Sequence, residues 1–312
     1  MPSLRQRLVK RSLFFFLHSV RRGLAHDPTP QRIRHDMRRF DRRMEGKVAH
    51  QTSSRVSVGD CEGVWIDTGE GDTERVVLYL HGGAFVAESP HTHRALLAKL
   101  CRRARARGFY LSYRLAPEHP YPAASDDCLA AYRFLLGSGV DPGRLVIAGD
   151  SAGGNLAVGT AMRIRDLGLP RPAALVLLSP VLDATLSGDS MRRNDGLDPL
   201  FRRASLVTLA GTYVSRERCL EPYVSPLFGN LEGLPPTLAM VGSSELLLDD
   251  TVRYAARARH VTAQIWHDMP HVWPAMHGLA EAEEASAVIA AFIVQHTPAG
   301  PTAITSVAAP AG

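Results

Sequence analysis

The chain has 312 residues, 45% of them hydrophobic and 21% charged, which buries a sizeable core and excludes a disordered chain. Its length suits one α/β domain with an added cap. The net charge of +5 is concentrated at one end: residues 1–50 carry thirteen Arg/Lys against four Asp/Glu, or +9, while the other 23 basic and 27 acidic side chains sum to −4.

Residues 4–45 read as two basic helices, broken near Pro28-Thr29-Pro30. Residues 1–50 are therefore assigned to an N-terminal helical cap segment. No nucleic-acid reader motif accompanies the basic charge, so nucleic acid is not an expected partner. A solvated helix face explains the charge, and weak attraction to an anionic membrane surface is the second reading. The apolar run Leu13–Leu17 has five residues. A signal peptide needs about 7–15 apolar residues and a membrane span about 20, so a cytoplasmic protein is expected. The Phe cluster could cover an apolar pocket or touch a bilayer. Cys61, Cys101, Cys128 and Cys219 are scattered with no Cys-x-x-Cys pair, which argues against a disulfide framework and a zinc site.

Residues 51–297 read as the catalytic domain. Apolar strand runs occur at Val76–Leu80, Phe109–Tyr113, Leu145–Ala148, Leu175–Leu178, Thr237–Val241 and Thr262–Trp266. Helical patterns lie between them, at Ala123–Leu136, Asn155–Leu167 and Asp250–Arg259. This alternation predicts an α/β fold with a mostly parallel central sheet and helices on both faces. Residues 184–215 break the alternation and read as a cap insertion on the side where strand C-termini lie. Residues 298–312, rich in Ala, Pro, Thr and Gly, read as a disordered tail.

Directly after the first apolar strand comes His81-Gly82-Gly83-Ala84. Consecutive glycines let backbone N–H groups approach a developing anion, so Gly82 and Gly83 are candidate oxyanion donors. Leu145–Asn155 reads strand, then Gly149-Asp150-Ser151-Ala152-Gly153, then helix. That order marks a sharp strand-to-helix turn with Ser151 exposed at its apex as nucleophile and Ala152 as a further oxyanion donor. Phosphate-loop spacings are missing here.

On this arrangement the triad runs Ser, acid, His. Glu245 lies four residues past the strand Thr237–Val241 and is the expected acid. Asp249 is the alternative, although with Asp250 it also looks like the acidic start of a helix. His271 sits in an extended loop after the last strand and is the expected base, with His267 as runner-up. Their i, i+4 spacing is no metal site, because Pro270 opposes a helix and no third ligand stands out.

Taken together, these residues resemble the hormone-sensitive lipase family of α/β-hydrolases. The matching stretches are His81-Gly82-Gly83, Tyr113-Arg114-Leu115-Ala116-Pro117-Glu118-His119-Pro120, Gly149-Asp150-Ser151-Ala152-Gly153-Gly154-Asn155 and Met269-Pro270-His271. Ser179-Pro180 and Ser225-Pro226-Leu227 add to them. The resemblance implies an α/β-hydrolase fold, no cofactor, an N-terminal cap, and hydrolysis of short- or medium-chain carboxylesters. It departs at two points: Glu245 stands where the family commonly has Asp, and His271 is followed by Val272-Trp273 where Gly is common. Tyr113 and Glu118 match a structural turn and are given no chemistry. The motifs do not separate an ester hydrolase from a deacetylase, amidase or lactone hydrolase. A non-enzymatic binding protein on this fold would be expected to have a broken triad or oxyanion loop.

Overall fold

The computed structural model describes residues 4–26, 28–47, 52–69 and 74–298. The expected disordered tail lies outside the described residues beyond Pro298. The strands are β1 (Thr52–Val58), β2 (Cys61–Asp67), β3 (Val76–Leu80), β4 (Arg107–Ser112), β5 (Leu145–Asp150), β6 (Ala174–Leu178), β7 (Thr237–Gly242) and β8 (Val261–Trp266). They form one eight-stranded sheet in the order β1-β2-β4-β3-β5-β6-β7-β8. The β1–β2 and β2–β4 pairings are antiparallel and all the others parallel.

The expected strands are those from β3 onward. β1 and β2 add an antiparallel edge that apolar runs did not reveal. β1 reads Thr-Ser-Ser-Arg-Val-Ser-Val and is largely exposed, as an edge strand with one wet face should be. The central β3, β5, β6 and β7 are buried throughout, which is why each reads as an unbroken apolar run.

The helices are α1 (Leu4–His26), α2 (Pro30–Asp41), α3 (Pro90–Ala104), α4 (Ala123–Gly137), α5 (Ala152–Asp166), α6 (Ser190–Arg193), α7 (Arg203–Tyr213), α8 (Leu248–Arg257) and α9 (Ala280–His296). The break between α1 and α2 has a local cause. Pro30 opens α2, and Thr29 accepts the Arg32 N–H at 3.2 Å as its N-cap. Side chains alternate across the sheet. Leu78, Leu80, Ile147 and Leu177 pack toward α4 and α5, whereas Val77, Tyr79, Val146 and Leu178 pack toward α3 and α9. The parallel crossovers bring the C-terminal ends of β3, β5, β6 and β7 to one rim, where crevices form in such sheets. No helix among the described residues is long and apolar enough to cross a membrane, and all four cysteines are free thiols.

Candidate active site

Ser151 joins β5 to α5 with φ 53° and ψ −118°, a strained conformation for a residue with a side chain. Its N–H donates to the Leu178 carbonyl at 2.8 Å, tying the turn to β6. The flanking glycines are a steric requirement. A Cβ at Gly149 would lie 2.3 Å from the Gly153 oxygen, and one at Gly153 would lie 1.9 Å from the Leu80 oxygen. The turn therefore closes only with glycine at both places, leaving Ser151 at the N-terminus of α5.

The loop after β3 passes beside this turn. Gly83 has φ +126°, and a Cβ there would lie 2.1 Å from the Ala87 oxygen. The structure corrects one expectation here. The Gly82 N–H donates to Asp150 Oδ1 at 3.0 Å, so it is spent on a buried carboxylate and is not a free oxyanion donor. Gly83 and Ala84 instead border the cavity that holds Ser151 and His271. Among the described residues, the N–H groups of Gly83, Ala84 and Ala152 meet no protein acceptor.

Glu245 follows β7 and is fully buried. Its Oε1 accepts the Gly242 N–H at 2.6 Å and the Ser179 hydroxyl at 2.8 Å, while Oε2 faces His271 Nδ1 at 2.8 Å. Three partners hold the carboxylate in one orientation. Burial pushes the His271 imidazole toward its neutral form. The hydrogen bond to Glu245, with the nearby Glu245, Asp198 and Asp150 charges, outweighs burial and leaves its pKa above the ordinary histidine value. The Phe201 ring packs edge-on against the imidazole, with centroids 5.1 Å apart.

The two runner-up residues lie elsewhere. Asp249 Oδ2 accepts the Ser190 N–H at 2.8 Å and Oδ1 pairs with Arg193 at 3.2 Å. The His267 side chain is 89% exposed and pairs with Asp268. Among the described residues, no group of three His, Cys, Asp or Glu could hold a metal ion.

The cavity above Ser151 is walled mainly by apolar side chains. α1 contributes Phe16, Leu17, Val20 and Leu24, and α2 contributes Ile33, Met37 and Phe40. Leu200 and Phe201 come from the segment that leads into α7. Both segments are tied to the rim. Arg34 of α2 donates to the Val86 and Ala116 carbonyls at 2.6 and 3.0 Å and grips Glu118 with two bonds. Arg21 of α1 donates to the Gly196 and Asp198 carbonyls. Asn194 donates to the Ser243 and Glu245 carbonyls, and Asp198 accepts the Leu246 N–H at 2.9 Å. Residues 194–198 are thus stitched to the loop that carries Glu245. Ser179, Asn194, Asp198 and Ala84 were missed as site residues. Ser179 carried a signal in its Ser-Pro pair, and Ala84 in the loop His81-Gly82-Gly83-Ala84.

A family model described as alpha/beta hydrolase fold matches residues 77–275. An acetyl-hydrolase of Streptomyces hygroscopicus is 40% identical over 261 residues, covering 81% of this chain and 87% of its own. An esterase of Acinetobacter venetianus is 38% identical over 229 residues, covering 70% and 74%. The crystal structure of an esterase from the bacterial hormone-sensitive lipase family superposes with a TM-score of 0.85 at 35% identity, over 96% of this chain and all of that one. An esterase crystal soaked with p-nitrophenyl butyrate gives 0.77 at 37% identity, over 83% and 91%.

Proposed function

Since this chain belongs to the α/β hydrolase fold family, as a serine hydrolase similar to the bacterial hormone-sensitive lipase esterases, we propose that it cleaves short- to medium-chain carboxylesters through Ser151, His271 and Glu245. The observation that carries this reading is the buried relay from Glu245 Oε2 to His271 Nδ1 at 2.8 Å, opening with Ser151 onto one apolar cavity.

Ser151 Oγ attacks the ester carbonyl while His271 Nε2 takes its proton. With Glu245 accepting from Nδ1–H, the imidazole keeps the tautomer whose Nε2 is free, and the imidazolium that forms is stabilised. The negative charge on the carbonyl oxygen falls to the N–H groups of Gly83, Ala84 and Ala152. Each such donor is worth about 3 kcal/mol of transition-state stabilisation. His271 then protonates the leaving alcohol, and the same base activates water to release the acyl group. α1, α2 and residues 184–215 act as the cap that sets which ester fits. The substrate is a small-molecule ester, and the name of the Streptomyces relative makes acetyl one acyl group to try first.

The test is a panel of p-nitrophenyl esters from acetyl to dodecanoyl, with Ser151→Ala as control. The expected profile peaks at short or medium chains and falls by at least about 10³-fold in Ser151→Ala. Turnover within tenfold of wild type in that variant would remove Ser151 from the mechanism. Matched N-acetyl and lactone substrates separate the amidase and lactonase alternatives.

A further inference from the structure

Asp150, next to Ser151, has no part in the chemistry above, yet it is a buried carboxylate beside the reacting centre. Its Oδ1 accepts the Tyr79 hydroxyl at 2.8 Å and the Gly82 N–H at 3.0 Å. Its Oδ2 lies 3.5 Å from His93 Nε2. Asp150 is 2% and His93 5% exposed, and both line the cavity. A negative charge so close to Ser151, away from bulk water, repels the anion that forms on the substrate carbonyl. It must be compensated for the turn to be catalytic. His81 is not the compensating group. It stacks on Tyr113 with centroids 4.1 Å apart, sets Nδ1 2.7 Å from the Gly82 oxygen, and is held by burial below the ordinary histidine pKa.

We propose that His93, as an imidazolium, is a positioning residue for ester hydrolysis: it neutralises Asp150, so that this carboxylate can hold the oxyanion loop through Gly82 without repelling the oxyanion. The proposal rests on the reading that Gly83, Ala84 and Ala152 receive that charge. Several groups face His93. Asp150 comes from the nucleophile turn. Asp41, from the end of α2, accepts the Thr92 N–H at 2.7 Å. Glu88, just before α3, accepts the Tyr110 and Ser112 hydroxyls. The His81 and Tyr79 rings stand 5.7 and 6.1 Å away between centroids. Burial and the N-terminal dipole of α3 disfavour the cation. Asp150, Asp41 and Glu88 outweigh burial and keep the pKa above its ordinary value.

The experiment is a double-mutant cycle on the full chain, with His93→Gln, Asp150→Asn and the pair, assayed on p-nitrophenyl butyrate. His93→Gln strands the Asp150 charge, so kcat should fall about 100-fold with KM within about threefold. Adding Asp150→Asn removes that charge and should restore about tenfold or more of the loss. The kcat of the wild type should decline at alkaline pH as His93 loses its proton, and that limb should be missing in the pair. A side chain serving only to fill space gives no such rescue. The proposal is overturned if His93→Gln keeps kcat within threefold, or if the pair is no faster than His93→Gln alone. Should His93→Gln fail to fold, as read by its thermal melt, the step from Asp150→Asn to the pair remains. A kcat loss there as large as about 100-fold overturns the charge argument. Butylboronic acid separates this from the underlying reading, since it mimics the anionic adduct on Ser151. Its Ki should weaken about 100-fold in His93→Gln. If it does not inhibit the wild type, the Ser151 reading is what has failed.

Discussion

Replacing Ser179 by alanine removes one oxygen atom from the joint between β6 and the histidine loop. That oxygen donates to Glu245 Oε1 at 2.8 Å and accepts the Val272 N–H at 3.1 Å, in a residue with no exposed surface. A hydrogen bond to a carboxylate is worth about 1.5–3 kcal/mol, and a stranded backbone N–H adds about 1 kcal/mol. Glu245 keeps the Gly242 N–H at 2.6 Å, so the acid is loosened and not released, and the low end applies. A loss of about 2.5 kcal/mol lowers the Tm of a chain this size by roughly 4 °C. Val272 is bonded through its backbone directly to His271, so the imidazole also loses a brace. An orientation penalty of about 1.4 kcal/mol corresponds to roughly tenfold in kcat, with KM nearly unchanged. Steady-state hydrolysis of p-nitrophenyl butyrate and a thermal melt of the same preparation read both effects. A kcat within twofold of wild type would refute the claim that Ser179 helps aim the base.

Three further outcomes are expected. Glu245→Gln should cost about 10³–10⁴-fold in kcat, whereas Asp249→Asn should stay within about threefold because Asp249 serves Ser190 and Arg193; the reverse order would make Asp249 the acid. Arg34→Met should raise KM for apolar esters about 3–10-fold while kcat holds, through its two carbonyl bonds more than through the exposed Glu118 pair, which is worth little; unchanged KM and Tm would sink the clamp. Burial lifts the Asp250 carboxyl to about 7, with Asp183 adding to it, although the Leu182 N–H pulls the other way. A carboxyl raised above its unfolded value near 3.9 makes the folded state hold an extra proton between the two values. This contribution to stability is therefore complete at low pH, is lost as pH rises through about 7, and is level above. Asp250→Asn should flatten that slope in urea melts at pH 5 and pH 8, and an unchanged slope would contradict the assignment.

Much of the frame was legible because buried parallel strands must be apolar along their whole length. Val76–Leu80 and Leu145–Ala148 announce themselves for that reason, and the polar edge β1 does not. The Ser151 turn was legible because sterics demand glycine at 149 and 153. The choice between Gly82 and its neighbours was not. Two adjacent N–H groups look alike in a sequence, and only the direction of the Asp150 side chain shows which is already taken. Asp198 and Asn194 were equally hidden. They join the irregular segment around residues 194–198 to the loop that carries Glu245, and such contacts across 48 or more residues leave no spacing to read.

The wall formed by α1 and α2 separates two kinds of inheritance within one chain. Ser151, Glu245 and His271 sit in turns and loops that follow strands, and the Ser151 turn closes only with glycine at 149 and 153. The apolar wall of the cavity comes largely from α1 and α2, held by Arg34, Arg21 and apolar packing. Exchange of the first 45 residues between relatives could transfer substrate range without disturbing the sheet.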